Sequence, residues 1–252
     1  MMMLAHDLQR LASGVEIAVR DTARFIRREK KAFVRGDAEF KGPNDLVSYV
    51  DRTAEKQLVE SFSALIPGCG FINEEGGDTN PDAEWVWVID PLDGTTNFVY
   101  DLPVFCISVG LLHNGQRVMG VVNEINRDEY FLAIKGQGAK LNNKPIRVST
   151  STQLRECLLA TGFPFRESDP LDGYLGMLRQ FMKTTKGIRR LGSAALDLAY
   201  TACGRFDGFF ESNLSPWDVA AGSLLVEEAG GVVTDYQNGH NFVFGRSIVA
   251  GT

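Results

Sequence analysis

The segment that decides the fold and the chemistry of this chain reads DPLDGTTNF and occupies residues 90–98. It follows directly on residues 85–89, WVWVI, a short run of β-forming residues that predicts a buried strand. Asp90 and Asp93 therefore stand three residues apart at the end of a strand. Two carboxylates at that place are a candidate functional site.

The residues between and after these carboxylates predict a cation site beside an anion site. Pro91 and Gly94 favour a tight turn, which would direct both carboxylates and the Leu92 carbonyl toward one point. Such hard oxygen donors suit Mg²⁺. Residues 94–96 can open a helix whose free N–H groups face a phosphate. The alternative is an Asx-type turn in which Thr95 only caps the helix.

The rest of the first half predicts two helices followed by a β-meander. Apolar residues recur three and four apart over residues 4 to about 35 and over residues 51–65. Three further strand candidates are separated by turn residues, so the sheet is at least partly antiparallel; they are residues 104–112, 118–123 and 130–133.

After residue 151, helices and strands alternate. The predicted helices are residues 173–183, 192–203 and 219–229, and the predicted strands are residues 206–210, 232–234 and 248–250. The pattern is mixed α and β without a clear domain boundary. We expect one domain over residues 1–252. A weak boundary near residues 145–155 is compatible with two lobes, residues 1–150 and 151–252.

Composition excludes several classes of protein. The chain has 252 residues, 44% of them hydrophobic, and a net charge of −6. This net negative charge argues against general binding to the phosphate backbone of nucleic acids. No apolar run approaches the roughly 18 residues of a membrane helix, and the N-terminus lacks the apolar core of a signal peptide. Four separated cysteines without a C-x-x-C pair predict reduced thiols and a cytoplasmic location.

Four ordered motifs resemble those of the inositol monophosphatase family, within the lithium-sensitive, magnesium-dependent phosphatases. Besides residues 90–98, they are KGPNDLV through Asp51 at 41–51, FINEE at 71–75, and WDVAAG at 217–222 followed by EAGG at 228–231. The resemblance covers essentially the whole chain. Asn73 departs from it, because many members have glycine there.

The resemblance implies a layered α/β/α/β/α sandwich and usually a homodimer. It implies a Mg²⁺-dependent phosphomonoesterase that hydrolyses myo-inositol monophosphate or a related polyol or sugar phosphate with a metal-activated water. Its partner would be a small phosphate ester, and we expect it to bind neither a membrane nor a nucleic acid. The same superfamily leaves open fructose 1,6-bisphosphate, histidinol phosphate and 3′-phosphonucleotides as substrates. A regulatory or scaffold protein that lost the chemistry is the rival from another class.

The resemblance also implies a set of metal ligands. Glu74, Asp90 and the Leu92 carbonyl would hold one Mg²⁺, and Asp90, Asp93 and Asp218 a second. A third, weaker ion would lie near Glu74. We expect Li⁺ to compete at one of these positions, and Ca²⁺ to inhibit because its coordination is longer and looser.

In the same reading, Glu74 and Thr95 orient the attacking water, and Asp51 supports Thr95 through a hydrogen bond. The Gly94 and Thr95 amides, next to Leu92 and Asp93, would hold the phosphate, while Asp218 helps the leaving group. Asp51 and Asp218 could instead serve as helix N-caps.

Substrate contacts are implied in the second half of the chain. Glu211 would accept hydrogen bonds from substrate hydroxyls, Ser193 and Ala194 would line the same wall through main-chain groups, and Arg189 would lie near the substrate. Arg189 with Arg190 could equally be an interface or surface pair. A bisphosphate would need extra cations, and the sequence offers Arg166, Lys183, Lys186, Arg189 and Arg190.

Overall fold

The structure is a computed structural model that describes residues 5–42, 45–164 and 171–252. In chain order the elements are α1 (Ala5–Lys30), β1 (Glu39–Gly42), β2 (Asp45–Val47), α2 (Tyr49–Leu65), β3 (Gly70–Asn73), β4 (Trp85–Asp93), α3 (Thr95–Val99), β5 (Cys106–His113), β6 (Gln116–Glu124), β7 (Glu129–Ile134), β8 (Ala139–Leu141), β9 (Lys144–Pro145), β10 (Leu158–Thr161), α4 (Leu171–Thr184), β11 (Gly187–Arg189), α5 (Ala194–Ala202), β12 (Gly208–Ser212), α6 (Pro216–Glu228), β13 (Val232–Thr234) and β14 (Ser247–Gly251).

The first helix ends earlier than its sequence pattern indicates. The apolar periodicity predicted a helix to about residue 35, but α1 ends at Lys30. The N–H groups of Lys31 and Ala32 bond to carbonyls three residues back, at Arg28 and Glu29. This tighter hydrogen-bond pattern is a common way for a helix to end, and it turns the chain toward β1.

Seven strands form a sheet in the order β3-β4-β5-β6-β7-β8-β9. The β3–β4 pair is parallel and the remaining pairs are antiparallel. The predicted meander is confirmed. Because side chains alternate along a strand, Trp87 and Ile89 of β4 join the core beneath α1 and α2, whereas Val86 and Val88 join the opposite core beneath α5 and α6.

Five strands form a second sheet in the order β11-β10-β12-β14-β13. Residues of β12 and β14 pack on α5 and α6 in the same core as Val86 and Val88. On the other face, Tyr174 of α4 packs with Leu159 and Phe210. Layers of helices, α1 with α2, α5 with α6, and α4, thus alternate with the two sheets as α/β/α/β/α, and the predicted layered sandwich is confirmed. The single-domain organisation over residues 1–252 stays a prediction.

Strand β4 does not end where the sequence suggested. A tight turn was expected between Asp90 and Asp93, but the strand continues to Asp93 through a bulge in its pairing with β5. The Leu92 N–H, which leaves the ladder there, donates to Asp90 Oδ1 over 2.9 Å. A bond from an N–H to the Asp side chain two residues earlier is that of an Asx-type turn, so this part of the alternative is present inside the bulge. Thr95 is not the helix cap, because Gly94 is the N-cap of α3.

The short strands β3, β10 and β11 were not predicted. Each has three or four residues, too few for a period of two to stand out from a loop. Parallel pairing with β4 orders β3, and mutual parallel pairing orders β10 and β11. Among the described residues, no helix is both long and apolar enough to span a membrane.

Candidate active site

Asp90 is a buried carboxylate in an acidic neighbourhood. Only 2% of its surface is exposed, at the start of the bulge in β4. Burial raises its pKa well above the ordinary value, and the charges of Glu74, Asp93 and Asp218 raise it further. The site therefore brings together four carboxylates that come from distant parts of the sequence.

Asp93 ties the end of β4 to the start of α5. Its Oδ2 accepts hydrogen bonds from Ser193 Oγ and from the Ala195 N–H, each over 2.7 Å. Burial raises the pKa of Asp93 to about 6, although these bonds and the charge of Arg190 lower it. The carboxylate is thus fixed in place by residues about 100 positions away.

Thr95 connects the bulge to α2. Gly94, with φ of 99°, precedes α3 in a left-handed conformation, and a Cβ there would stand 2.9 Å from the Val104 carbonyl oxygen. The Thr95 hydroxyl lies 3.0 Å from both Asp51 Oδ1 and the Leu92 carbonyl oxygen. The sequence-predicted pair Thr95 and Asp51 is therefore in contact.

Asp51 is not the N-cap of α2. Ser48 holds that position, and Asp51 is the third helical residue, whose Oδ2 accepts bonds from the Ser48 N–H at 2.9 Å and the Ser48 hydroxyl at 2.6 Å. Burial raises the pKa of Asp51, and the bonds from Ser48 and Thr95 oppose that rise. This capping box orients Asp51 toward α3 as well as stabilising α2.

Glu74 stands just after β3, where its N–H donates to the Ile89 carbonyl over 3.2 Å. The next residue, Glu75, has its N–H bonded to Glu55 Oε2 at 2.9 Å. A Cβ on Gly76 would stand 2.7 Å from Glu55 Oε1. Glu55 of α2 thereby holds the turn that carries Glu74. Sequence reasoning missed it, although its position four residues after Asp51 places both on one helix face.

Asp218 is the third residue of α6, after the N-cap Ser215. Its Oδ2 accepts from the Ser215 N–H over 2.6 Å. It is therefore not the N-cap that was considered as its alternative role. Its pKa is raised well above the ordinary value by burial and then by the charge of Asp93.

The oxygen donors of these residues fit Mg²⁺ by type. Neighbouring carboxylates raise the pKa of Asp90 and of Asp218, so these acids are unfavourable together without a cation, and carboxylate and carbonyl oxygens are ligands of Mg²⁺. Within residues 5–42, 45–164 and 171–252, however, no group of three or more His, Cys, Asp or Glu side chains is positioned to bind one metal ion. The donors fit, but their final coordination geometry is not preformed.

The substrate residues expected in the second half fall into two groups. Ser193, the N-cap of α5, and Ala194 begin the helix that holds Asp93. Glu211 stands on β12 with its carboxylate packed against Gly162, where a Cβ would lie 1.8 Å from Oε1. Burial raises the pKa of Glu211 to about 8, while Arg190 lowers it.

The structure favours Arg190 over Arg189 as the arginine of this site. Both side chains are exposed, but Arg189 Nη1 donates to the Ile188 carbonyl over 3.0 Å. The charge of Arg190 acts on Asp93 and Glu211, and its guanidinium lies 5.6 Å from the centre of the Phe163 ring. Adjacent residues of an extended segment point in opposite directions, which the sequence could not assign. Arg166 lies outside the described residues.

Comparisons with known proteins agree with this arrangement. A sequence model described as the inositol monophosphatase family matches residues 7–252. The chain belongs to the inositol monophosphatase family. This family member is 47% identical over 216 residues to the Nus factor SuhB of Pseudomonas aeruginosa, covering 84% of this chain and 80% of the relative.

Two solved structures of inositol monophosphatase type share its fold. The extragenic suppressor protein suhB from Bartonella henselae is 40% identical, with a TM-score of 0.91 over 96% of this chain and 94% of that one. The inositol monophosphatase from Anabaena (Nostoc) is 37% identical, with a TM-score of 0.86 over 97% of this chain and 91% of that one. Relatives of this family member therefore carry both an enzyme's name and a Nus factor's name.

Proposed function

We propose that this chain is a Mg²⁺-dependent phosphomonoesterase acting on myo-inositol monophosphate or a related polyol or sugar phosphate. The observation that supports the proposal is that the charges of Glu74, Asp93 and Asp218 act on the buried Asp90, in the segment that also contains the Thr95–Asp51 hydrogen bond. Membership of a family of inositol monophosphatases supports the same activity. A pure binding module has no need of four mutually repelling carboxylates.

Glu74, Asp90, the Leu92 carbonyl, Asp93 and Asp218 would hold two or three Mg²⁺ ions. When bound, these ions would lower the pKa of a water, neutralise charge on the phosphate and stabilise the leaving oxygen. Binding would also remove the repulsion among the carboxylates. Occupation of a Mg²⁺ position would explain the expected inhibition by Li⁺ and Ca²⁺.

Thr95 and Asp51 would orient the attacking water. Because the Thr95 hydroxyl can donate its hydrogen to Asp51 Oδ1, the lone pairs of Oγ1 remain available to accept a hydrogen from a water. Glu74 would take up the proton released from that water. The Gly94 and Thr95 amides would bind the phosphate at the start of α3.

Glu211 would accept hydrogen bonds from substrate hydroxyls, and the segment from Ser193 to Ala194 would form the wall beside it. Arg190 supplies a cation at this wall. Among the described residues, Arg190 is the cation whose charge acts on Glu211. We propose a monophosphate that carries hydroxyl groups as the preferred substrate, with fructose 1,6-bisphosphate as the alternative.

A phosphate-release panel tests this proposal. Inositol 1-phosphate, fructose 1,6-bisphosphate, histidinol phosphate and a 3′-phosphonucleotide are compared while Mg²⁺ is titrated and Li⁺ or EDTA is added. Asp93→Asn removes a central carboxylate, and Asp82→Asn removes an exposed one as the matched control. We expect release that requires Mg²⁺, fastest with inositol 1-phosphate, and lost only in Asp93→Asn. No release from any ester would contradict the proposal.

We infer a role as a Nus factor as the second candidate function, because relatives at 46–47% identity carry that name. The net charge of −6 disfavours direct contact with a nucleic acid, so we propose that such a role would act through proteins. The Asp93→Asn variant tests whether this second role depends on hydrolysis. A purified transcription complex that retains the variant as well as it retains wild type would show that association does not require hydrolysis.

The homodimer and the cytoplasmic location remain part of this proposal. Sedimentation tests the homodimer, and cell fractionation tests the location.

A further inference from the structure

The carboxyl group of Glu211 lies against a glycine of the neighbouring strand. Strands β10 and β12 are parallel, with Thr161 beside Phe210, so the next residues, Gly162 and Glu211, stand side by side where this pairing ends. A Cβ on Gly162 would overlap Glu211, because its three nearest atoms are Cδ, Oε1 and Oε2 of that side chain. The carboxyl group therefore occupies the space that a side chain at residue 162 would fill.

The backbone of Gly162 does not itself require glycine. Its φ lies outside the left-handed region that favours this residue, unlike the φ of Gly192 at 89° or of Gly204 at 74°. The group nearest to a side chain at this place is the end of a flexible side chain, that of Glu211. Glu211 thus supplies a reason for glycine here that the backbone does not.

The strand ends on both sides of this contact are held together. Thr161 is 1% exposed, and its hydroxyl oxygen lies 2.8 Å from the Phe210 carbonyl oxygen, 3.1 Å from the Gly162 carbonyl oxygen and 3.3 Å from the Tyr174 hydroxyl oxygen. These contacts tie the end of β10 to the residue before Glu211. An added methyl group would consequently displace the Glu211 carboxyl group and leave the two backbones in place.

The contact lies where substrate can reach it. Glu211 is half-buried, and Phe163, directly after Gly162, is 45% exposed. The guanidinium of Arg190 lies 5.6 Å from the centre of the Phe163 ring. Because a hydrogen bond depends steeply on distance and angle, a shift of the carboxyl group by about 1 Å is enough to weaken its bond to a substrate hydroxyl.

We propose that Gly162 is a specificity-determining residue. The absence of a side chain there forms a seat for the Glu211 carboxyl group, and this seat sets the position from which Glu211 binds the hydroxyl groups of a polyol phosphate. A methyl group at residue 162 moves the carboxyl group off its seat and reduces the preference for esters that carry hydroxyl groups. The proposed metal ligands come from β4, α6 and the turn after β3, so the seat acts on substrate choice and not on the attacking water.

This inference rests on the proposed function, and its test compares two esters. Inositol 1-phosphate offers hydroxyl groups to Glu211, whereas p-nitrophenyl phosphate offers none. The measured quantity is the ratio of kcat/KM for inositol 1-phosphate to kcat/KM for p-nitrophenyl phosphate. We expect Gly162→Ala to lower this ratio about tenfold, mainly through KM for inositol 1-phosphate, as for loss of one hydrogen bond to a charged group. Gly173→Ala is the matched control and should keep the wild-type ratio, because nothing lies within 4 Å of a Cβ there.

A double variant tests whether the methyl group acts through Glu211. Glu211→Ala removes the group with which the methyl would collide, and it should lower the ratio by itself. Adding Gly162→Ala to it should lower the ratio no further, because both changes act through one carboxyl group. Additive losses would overturn the proposal, as would a Gly162→Ala protein with the wild-type ratio.

Thermal melts separate this effect from damage to the fold. The Tm of Gly162→Ala should stay close to that of Gly173→Ala, because the end of a flexible side chain gives way. If Gly162→Ala does not fold, the double variant with Glu211→Ala decides: it should fold and have the ester ratio of Glu211→Ala. A double variant that also fails to fold would show that the methyl group meets something other than the carboxyl group, and would overturn the proposal.

The same measurements distinguish this inference from the proposed function. Wild type that releases phosphate from neither ester with Mg²⁺ would overturn the proposed function and this inference with it. Equal ester ratios in active wild type and active Gly162→Ala would overturn this inference alone.

Discussion

Thr95 and Asp51 are joined by a hydrogen bond of 3.0 Å between Oγ1 and Oδ1, although 44 residues separate them in the chain. The bond connects the start of α3 to the first turn of α2. Because Asp51 Oδ2 already accepts two hydrogen bonds from Ser48, Oδ1 remains available to accept the hydrogen bond from Thr95. The helix cap therefore sets the direction of a hydroxyl in the candidate active site.

Removing the Thr95 hydroxyl is expected to reduce the rate and leave binding largely intact. Thr95→Val keeps the shape of the side chain but can neither accept from water nor donate to Asp51, so kcat should fall about a hundredfold, the scale of one proton-handling group. Thr95→Ser is the matched control and should stay close to wild type. Steady-state phosphate release with inositol 1-phosphate measures both, and equal rates for the two variants would contradict this role.

Stability without metal should fall as the pH rises. The folded-state pKa of Asp93 is about 6, above its ordinary 3.8, so the folded protein holds a proton that the unfolded chain has lost. Stability is therefore lost as pH rises from about 4 through about 6. The raised pKa values of Asp90 and Asp218 act in the same direction.

Thermal melts in EDTA at pH 5 and pH 8 check this expectation, with and without excess Mg²⁺. We expect Mg²⁺ to raise Tm more at pH 8, and Asp93→Asn to melt higher than wild type in EDTA at that pH. An Asp93→Asn protein that melts lower than wild type in EDTA would show that the Ser193 and Ala195 bonds outweigh the repulsion.

Asp207 should show the opposite pH dependence. Burial raises its pKa, but bonds from Ser149, Ser151 and the Leu158 N–H together lower it below the ordinary 3.8. A lowered folded-state pKa stabilises the protein above pH 3.8, and that stability is lost as pH falls through the lower value. Asp207→Asn should cost about 1 kcal/mol at pH 7.

Urea unfolding of wild type and Asp207→Asn at pH 7 and pH 3 measures this difference. The gap between the two proteins should narrow as the pH falls below 3.8, because the unfolded chain then binds a proton that the folded Asp207 carboxylate still resists. A gap that is the same at both pH values would mean that packing, and not the charge, stabilises the segment around Leu158.

The contact between α6 and the seven-stranded sheet should leave no room for an extra methyl group. A Cβ on Gly120 of β6 would lie 2.5 Å from the Ala221 carbonyl oxygen. Gly120→Ala must push α6 away and should cost about 1–3 kcal/mol. Since α6 carries Asp218, the apparent affinity for Mg²⁺ should fall as well. Gly176→Ala is the control, because nothing lies within 4 Å of a Cβ there, and in helix α4 it should be neutral or stabilising.

Urea unfolding and Mg²⁺ titration of activity measure both effects. A Gly120→Ala protein with wild-type stability would show that α6 and the sheet can separate without cost. Wild-type Mg²⁺ affinity in a destabilised Gly120→Ala protein would show that Asp218 does not follow the movement of α6.

The long elements could be predicted from the sequence, and their ends could not. Periodicity over many residues identified α1 and the strands around β5, since burial of one face repeats at every turn or every second residue. The bulge between Asp90 and Asp93 escaped prediction, because Pro91 and Gly94 suit a turn equally well. Pairing with β5, a long-range contact, decided between the two.

The same limit explains the residues that sequence reasoning missed. Glu55 orders the turn at Glu74, and Asn97 Nδ2 bonds the carbonyls of Val104 and Leu191 over 2.7 and 2.8 Å. Nothing in their local sequence distinguishes them from ordinary surface polar residues. Their partners become visible only when distant segments are brought together.

The sequence by itself determined which chemical groups this protein has and the elements that carry them: carboxylates at the ends of apolar runs, in an order typical of one family. Only the tertiary structure decided which groups meet, with Ser48 as the cap in place of Asp51, Ser193 bonded to Asp93, and the charge of Arg190 acting on Asp93 and Glu211. The physical reason is that propensity and periodicity act between near neighbours in the chain. Hydrogen bonds, burial and charge act between neighbours in space.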